Sequence, residues 1–313
     1  FKPVHSKDST FVTGIIAADW NNAAGIAGIN PAARIMVVKA INNFGHSRAS
    51  FLSRAILYAV DNGAQVINLS VGGNEISAME QEALAYAEEK NVLVVVAAGN
   101  EGIDISQYGM ATSESVITVA ATGFKNERQA FSNWGQAVDI AAPGLDILSL
   151  RARRTDTMRD IEGVEYVPAE AYVGEDKRYY RASGTSFSAP IVTATASLLM
   201  SAHPQLTAVE VKRMLLNSAR DVDTPGTDMF SGYGLLDASK AMNADKDYFI
   251  DLRVASVQVV AGDNGQVVQI MGIANADQLA NYSIELGKGE NPGAWQKATP
   301  DLETPVMSGV LAE

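Results

Sequence analysis

Up to about residue 240 the chain alternates two textures. Short, nearly continuous apolar runs are separated by longer stretches in which apolar positions recur every three or four residues. The runs read as strands: Arg34–Ala40, Ala64–Val71, Val92–Ala98, Ser115–Ala121 and Val138–Ala142. Strands that are apolar on both faces belong in a parallel sheet covered by helices on each side. The intervening helices are expected near Ser50–Asp61, ended by Gly63, and over Ile76–Lys90. A second helical block follows Ser186 through Ile191–Met200, and Thr207-Ala208-Val209-Glu210 supplies a capping box for Val211–Ala219.

The pattern breaks twice. Arg151–Arg181 is charged and aperiodic and reads as a long surface insertion. Beyond Asp245, Phe249–Val260, Gln266–Ile273 and Tyr282–Leu286 are β-like, with Asp263-Asn264-Gly265 as a turn. The expected organisation is an α/β domain over residues 1–245 and a partial all-β domain over 249–313. The fold class is a three-layer α/β/α domain with a mostly parallel sheet, plus a small C-terminal β module.

Composition narrows the chemistry. With no cysteine, the chain has no disulfide, no thiolate metal site and no cysteine nucleophile. A formal charge of −12 argues against a nucleic-acid surface. No apolar run is long enough to span a bilayer. The chain opens at Phe1 without Met or a signal-like leader, so a mature or clipped product is expected.

Ser186, in Ser183-Gly184-Thr185-Ser186-Phe187-Ser188-Ala189-Pro190, is the candidate nucleophile. A serine hydroxyl needs a base beside it and donors for the developing oxyanion. Small residues leading into an apolar helix provide close approach and free N–H groups, although Gly-Thr-Ser before a helix is also a common cap. Three further segments precede it in order: Val66–Gly73 (VINLSVGG), Val94–Gly102 (VVVAAGNEG) and Asp139–Gly144 (DIAAPG). Together the four strings resemble the subtilisin-like serine proteases over roughly Phe11 to Ala241. The resemblance implies that Ser186 is the nucleophile and that Asn100 is the side-chain oxyanion donor, with the Ser186 N–H as second donor. It also implies that Ser70, Val71 and Gly72 form the edge that pairs with extended substrate, with Asn42–Ser47 opposite. Ala97, Ala98 and Gly99 would line the pocket for the residue before the cut bond.

One position departs from the family. Its His-Gly-Thr-His-Val-Ala-Gly pattern matches Asp8-Ser9-Thr10-Phe11-Val12-Thr13-Gly14, which sets Asp8 where the base belongs. An aspartate, with an ordinary pKa of about 3.9, is too weak a base for a hydroxyl and a poor acid for the leaving amine. The family's triad Asp lies on a strand well upstream of its His, whereas this chain starts seven residues before Asp8. The acid and the N-terminal strands are therefore expected to be missing. His5 is out of register, His46 lies in the opposite groove wall, and His203 in a turn between helices. Because Ser9 also replaces the motif's glycine, natural decay fits better than a single deliberate change, and a clipped active enzyme stays open.

The resemblance implies no cofactor for the chemistry. It is compatible with a structural calcium in Asp19-Trp20-Asn21-Asn22-Ala23-Ala24-Gly25, a segment whose plainer reading is a surface turn, and no metal residue is assigned. The expected partner is a polypeptide substrate or peptide ligand, with a protein partner for the C-terminal β module. The expected location is extracellular or in the cell envelope.

Overall fold

A computed structural model describes residues 7–41, 47–71, 75–106, 109–112, 116–151, 172–174, 176–223, 226–262, 265–289 and 294–313. The chain splits into two compact units, Phe1–Ala244 and Asp245–Glu313.

The first unit is built on a parallel sheet of order β1-β2-β3-β4, formed by Val66–Leu69, Leu93–Ala97, Val116–Thr122 and Ile140–Pro143. Every residue of β2 and β3 is buried, as the continuous apolar runs require of strands covered on both faces. One face packs on α2 (Ala49–Asp61) and α3 (Ala78–Glu89) through Ile56, Leu84, Val94 and Val96. The other packs on α4 (Thr185–Ala202) and α5 (Ala208–Asn217) through Val95, Ile117, Ile140, Val192, Leu199 and Leu215. This is the α/β/α layering read from the sequence. The capping box forms as expected: the Glu210 N–H donates to Thr207 Oγ1 at 3.2 Å and Thr207 N donates to Glu210 Oε2 at 2.7 Å. Ser77 and Glu80 build the same device at the start of α3.

Two expectations are corrected. Arg34–Ala40 is not a strand, because no strand among the described residues forms a ladder with it. Ile35, Met36 and Val37 are 41%, 40% and 45% exposed; apolar continuity alone does not supply hydrogen-bond partners. Conversely, the charged insertion 151–181 ends in ordered structure. Tyr172–Val173 (β6) and Tyr179–Ala182 (β7) join Ile147–Leu150 (β5) in an antiparallel sheet of order β5-β7-β6. Its tyrosines account for this: the Tyr172 ring lies 5.2 Å from that of Tyr180, with Arg151 4.5 Å above the Tyr172 ring, so a cationic residue packs on an aromatic face. Residues 152–171 of the insertion lie outside the described residues.

Helix α1 (Lys7–Ala17) docks on this sheet and on the start of α4. Phe11 is 1% exposed, its ring is 4.5 Å from that of Phe187, and its carbonyl accepts from Ser149 Oγ at 2.7 Å. A short helix, α6 (Ala238–Ala241), closes the unit.

The second unit is all β. Strands β8 (Ile250–Gly262), β9 (Gly265–Ala276) and β12 (Val306–Ala312) form an antiparallel sheet of order β12-β9-β8, and β10 (Glu285–Gly287) pairs with β11 (Trp295–Lys297). Its core is small: Ile270, Ala274 and Leu311, flanked by Tyr282, Ile284 and Val306.

Candidate active site

The site assembles where the carboxyl ends of β1 and β2 meet the amino end of α4. Gly184 caps α4 with φ 147° and ψ 155°, a conformation that residues with a Cβ rarely adopt. Its N–H donates to the Gly144 carbonyl at 2.8 Å, and Ser183 Oγ accepts from Asp146 N at 2.9 Å. The Asp139–Gly144 and Ser183–Pro190 segments are thereby tied together. Ser186 follows in the first turn of α4, half-buried, where helix N–H groups and dipole favour developing negative charge.

An open cleft is lined by Ser70, Val71, Ala97, Gly99, Asn100, Glu101, Thr185 and Ser186. Six of the residues singled out from the sequence thus meet at one place. Ala98, expected on the pocket wall, points the other way: it is 2% exposed and packs with Ile105, Ala120 and Ala141. Alternation at the end of β2 turns Ala97 and Gly99 to the cleft and Ala98 to the core. Gly72 and residues 42–46, with His46, lie outside the described residues, as does His5. Asp8 falls in the first turn of α1, and its side chain is likewise outside what is described.

Thr185 locks the two halves of the cleft. Asn100 Oδ1 accepts from Thr185 N at 2.8 Å and from Thr185 Oγ1 at 3.0 Å, while Thr185 Oγ1 accepts from Gly99 N at 3.1 Å. With its oxygen taken, the Asn100 amide has its Nδ2 donor left to offer.

Asn133, which sequence reasoning missed, holds the loop around Asn100. It is fully buried; its Oδ1 accepts from Glu101 N and Ile103 N, both at 3.0 Å. Its Nδ2 donates to the Ala98 carbonyl at 3.0 Å and to Glu101 Oε2 at 2.7 Å, and Glu101 Oε2 also accepts from Asn100 N at 2.9 Å. Gly99, with φ 101°, has no room for a side chain, since a Cβ there would lie 2.3 Å from Asn133 Nδ2. Nearby, burial lowers the Arg128 guanidinium from its usual value, opposed by Asp223. Arg128 Nη1 donates to the Ser132 carbonyl at 2.6 Å.

At the loop 19–25, Asn21 and Ala23 take φ 54° and Gly25 φ 70°, an alternation that for Ala23 costs about 1 kcal/mol or more. Asp19, the asparagines and the loop carbonyls are hard oxygen donors of the kind calcium takes, although Asn22 Oδ1 already accepts from Ala24 N at 3.0 Å. Among the described residues no three His, Cys, Asp or Glu side chains cluster to hold a metal.

A serine in the first turn of a helix beside a side-chain amide, at the carboxyl edge of a parallel sheet, is an arrangement of the kind α/β serine hydrolases use. Residues 8–234 match the model of the subtilase family, and the chain belongs to that family of subtilisin-like serine proteases. It is 36% identical over 233 residues to the thermophilic serine proteinase of Bacillus sp. strain AK1, covering 74% of this chain and 51% of that protein. To thermitase of Thermoactinomyces vulgaris it is 34% identical over 233 residues, 74% of each chain. To the cell wall-associated protease of Bacillus subtilis strain 168 it is 36% identical, with 75% of this chain and 26% of that protein covered. The chain thus spans about half of the first of these relatives and a quarter of the last. Among solved structures, the prenylagaramide maturation protease PagA superposes with a TM-score of 0.62 at 30% identity, covering 76% of this chain and 81% of that one.

Proposed function

We propose that this chain receives an extended polypeptide along the β1 edge and hydrolyses it far more slowly than a complete triad would, because Asp8 occupies the motif position of the family's base. The observation that carries the reading is the contrast between the two halves of the site. On the oxyanion side, Ser186, Asn100 and the Thr185 lock line one cleft. On the base side, the histidine within the described residues is His203, the C-cap of α4, while Ser186 sits at that helix's start. At 1.5 Å rise per residue the two are about 25 Å apart, out of reach for proton transfer.

In this reading Ser186 Oγ attacks the scissile carbonyl only slowly, its proton passing to solvent water because Asp8 stands at the motif position of the imidazole. The Asn100 Nδ2 and Ser186 N–H polarise the carbonyl oxygen but cannot move the proton. Substrate therefore binds and persists. A second reading follows from the same cleft: a non-cleaving peptide-binding or assembly protein, with residues 249–313 meeting a protein partner. The chemistry needs no cofactor. Calcium, when bound, serves the fold through hard oxygens of the loop 19–25. Export to the cell envelope or beyond belongs to this proposal and is supported by the cell wall-associated relative.

A mixture of unstructured peptides tests both readings by affinity capture and by mass spectrometry of the digest. Retained peptides released intact after hours support the proposal. Rapid turnover at neutral pH refutes it, and failure to retain any peptide refutes the groove as a binding site.

A further inference from the structure

Ser186 sits four residues before Pro190, and the spacing has a physical consequence. In an α-helix the carbonyl of residue i accepts from the N–H of residue i+4. Proline has no N–H, and its ring crowds the carbonyl four residues earlier. Pro190 lies inside α4, so the Ser186 carbonyl has no i+4 donor in its own helix.

The donor comes from the sheet. Ser70 Oγ donates to the Ser186 carbonyl at 2.9 Å, across 116 residues of sequence. Ser70 Oγ accepts from Asn68 Nδ2 at 2.9 Å, and Asn68 Oδ1 accepts from Thr193 Oγ1 at 3.0 Å. Thr193 is back on α4, two turns beyond Ser186 and so on the same face of the helix. The hydrogen bonds run from helix to strand and return to the helix, and Ser70 also lines the cleft.

We propose that Ser70, oriented by Asn68 and Thr193, is a positioning residue for Ser186: its hydroxyl replaces the helical hydrogen bond that Pro190 removes and fixes the serine's peptide against the substrate-binding edge. Pro190 and Ser70 act as a pair. The proline frees the carbonyl, and the hydroxyl ties it to the strand that substrate would extend. This role does not depend on how the base position is filled.

The chain contains two Ser-Phe dipeptides, Ser50-Phe51 and Ser186-Phe187. Labelling serine carbonyls with ¹³C and phenylalanine nitrogens with ¹⁵N therefore gives two carbonyl–amide cross-peaks, the first an internal control. Ser70→Ala is expected to move the Ser186 carbonyl resonance upfield and leave that of Ser50 in place. Ser70→Thr, which keeps a hydroxyl, returns it towards the parent position. An unmoved Ser186 resonance, or equal movement of both, overturns the proposal.

A double-mutant cycle checks the pairing. Ser70→Ala should lower Tm by about 2–4 °C in the parent. It should lower Tm by much less in Pro190→Ala, where residue 190 regains an N–H to satisfy the carbonyl. Equal losses in the two backgrounds contradict the pairing. The functional readout is the slow modification of Ser186 by a fluorophosphonate at alkaline pH, expected to fall roughly tenfold in Ser70→Ala and to recover in Ser70→Thr. An unchanged ratio means that Ser70 is structural only. The ratio between variants decides this inference, whereas a fast absolute rate in the parent would refute the reading of Asp8 and leave this one standing.

Discussion

Replacing Asn133 with alanine removes the side chain that fastens the loop around Asn100. Asn133 is fully buried and makes four side-chain hydrogen bonds, to Glu101 N, Ile103 N, the Ala98 carbonyl and Glu101 Oε2. Two backbone donors lose their acceptor, at roughly 1 kcal/mol each, taking the low end because the loop borders an open cleft that admits water. The lost volume and the two bereft acceptors add about 1 kcal/mol more, for a total near 3 kcal/mol. For a unit of this size that corresponds to a Tm about 6–12 °C lower. Every helix of the described residues lies in the first unit, so ellipticity at 222 nm during urea titration reports that unit. Amide exchange at Glu101 and Ile103 should accelerate together. A loss below about 1 kcal/mol, with those two amides unchanged, would show that the loop holds its shape without Asn133.

Other substitutions follow from the same geometry. Gly99→Ala forces a Cβ to 2.3 Å from Asn133 Nδ2 at φ 101° and should cost about 2–3 kcal/mol. Part of that cost should vanish in an Asn133→Ala background; strict additivity in urea melts would rule out the contact as the cause. Thr207→Ala removes an observed capping bond and should lose about 1 kcal/mol by the same measurement. Calcium at about tenfold over a millimolar dissociation constant should raise Tm by roughly 3–6 °C, and Asp19→Asn should blunt the rise. A Tm indifferent to calcium and to chelator would remove the loop 19–25 as a cation site.

The central sheet was legible because strands buried on both faces leave continuous apolar runs, as Leu93–Ala97 and Val116–Thr122 do. Capping at Thr207 was equally legible, since donor and acceptor lie three residues apart. Arg34–Ala40 misled because strand formation depends on a neighbour that composition does not reveal. The tyrosine sheet at Tyr172–Ala182 was hidden by charges that pack on aromatic rings. In the cleft, Ser186 and Asn100 stood out as motifs, but what holds them did not. Asn133 and Glu101 are 32 residues apart, and Ser70 and Ser186 are 116 apart, so only folding brings them together. One signal was available: a proline four residues after the serine announces a carbonyl in need of a donor.

In the proposed reading the oxyanion side of this site is intact and Asp8 stands at the motif position of its base. The most direct test incubates the chain with a fluorophosphonate at neutral pH and follows intact mass, with peptide mapping at Ser186. No stoichiometric adduct is expected on the timescale that modifies an active subtilase run in parallel. Rapid, complete labelling of Ser186 would contradict it.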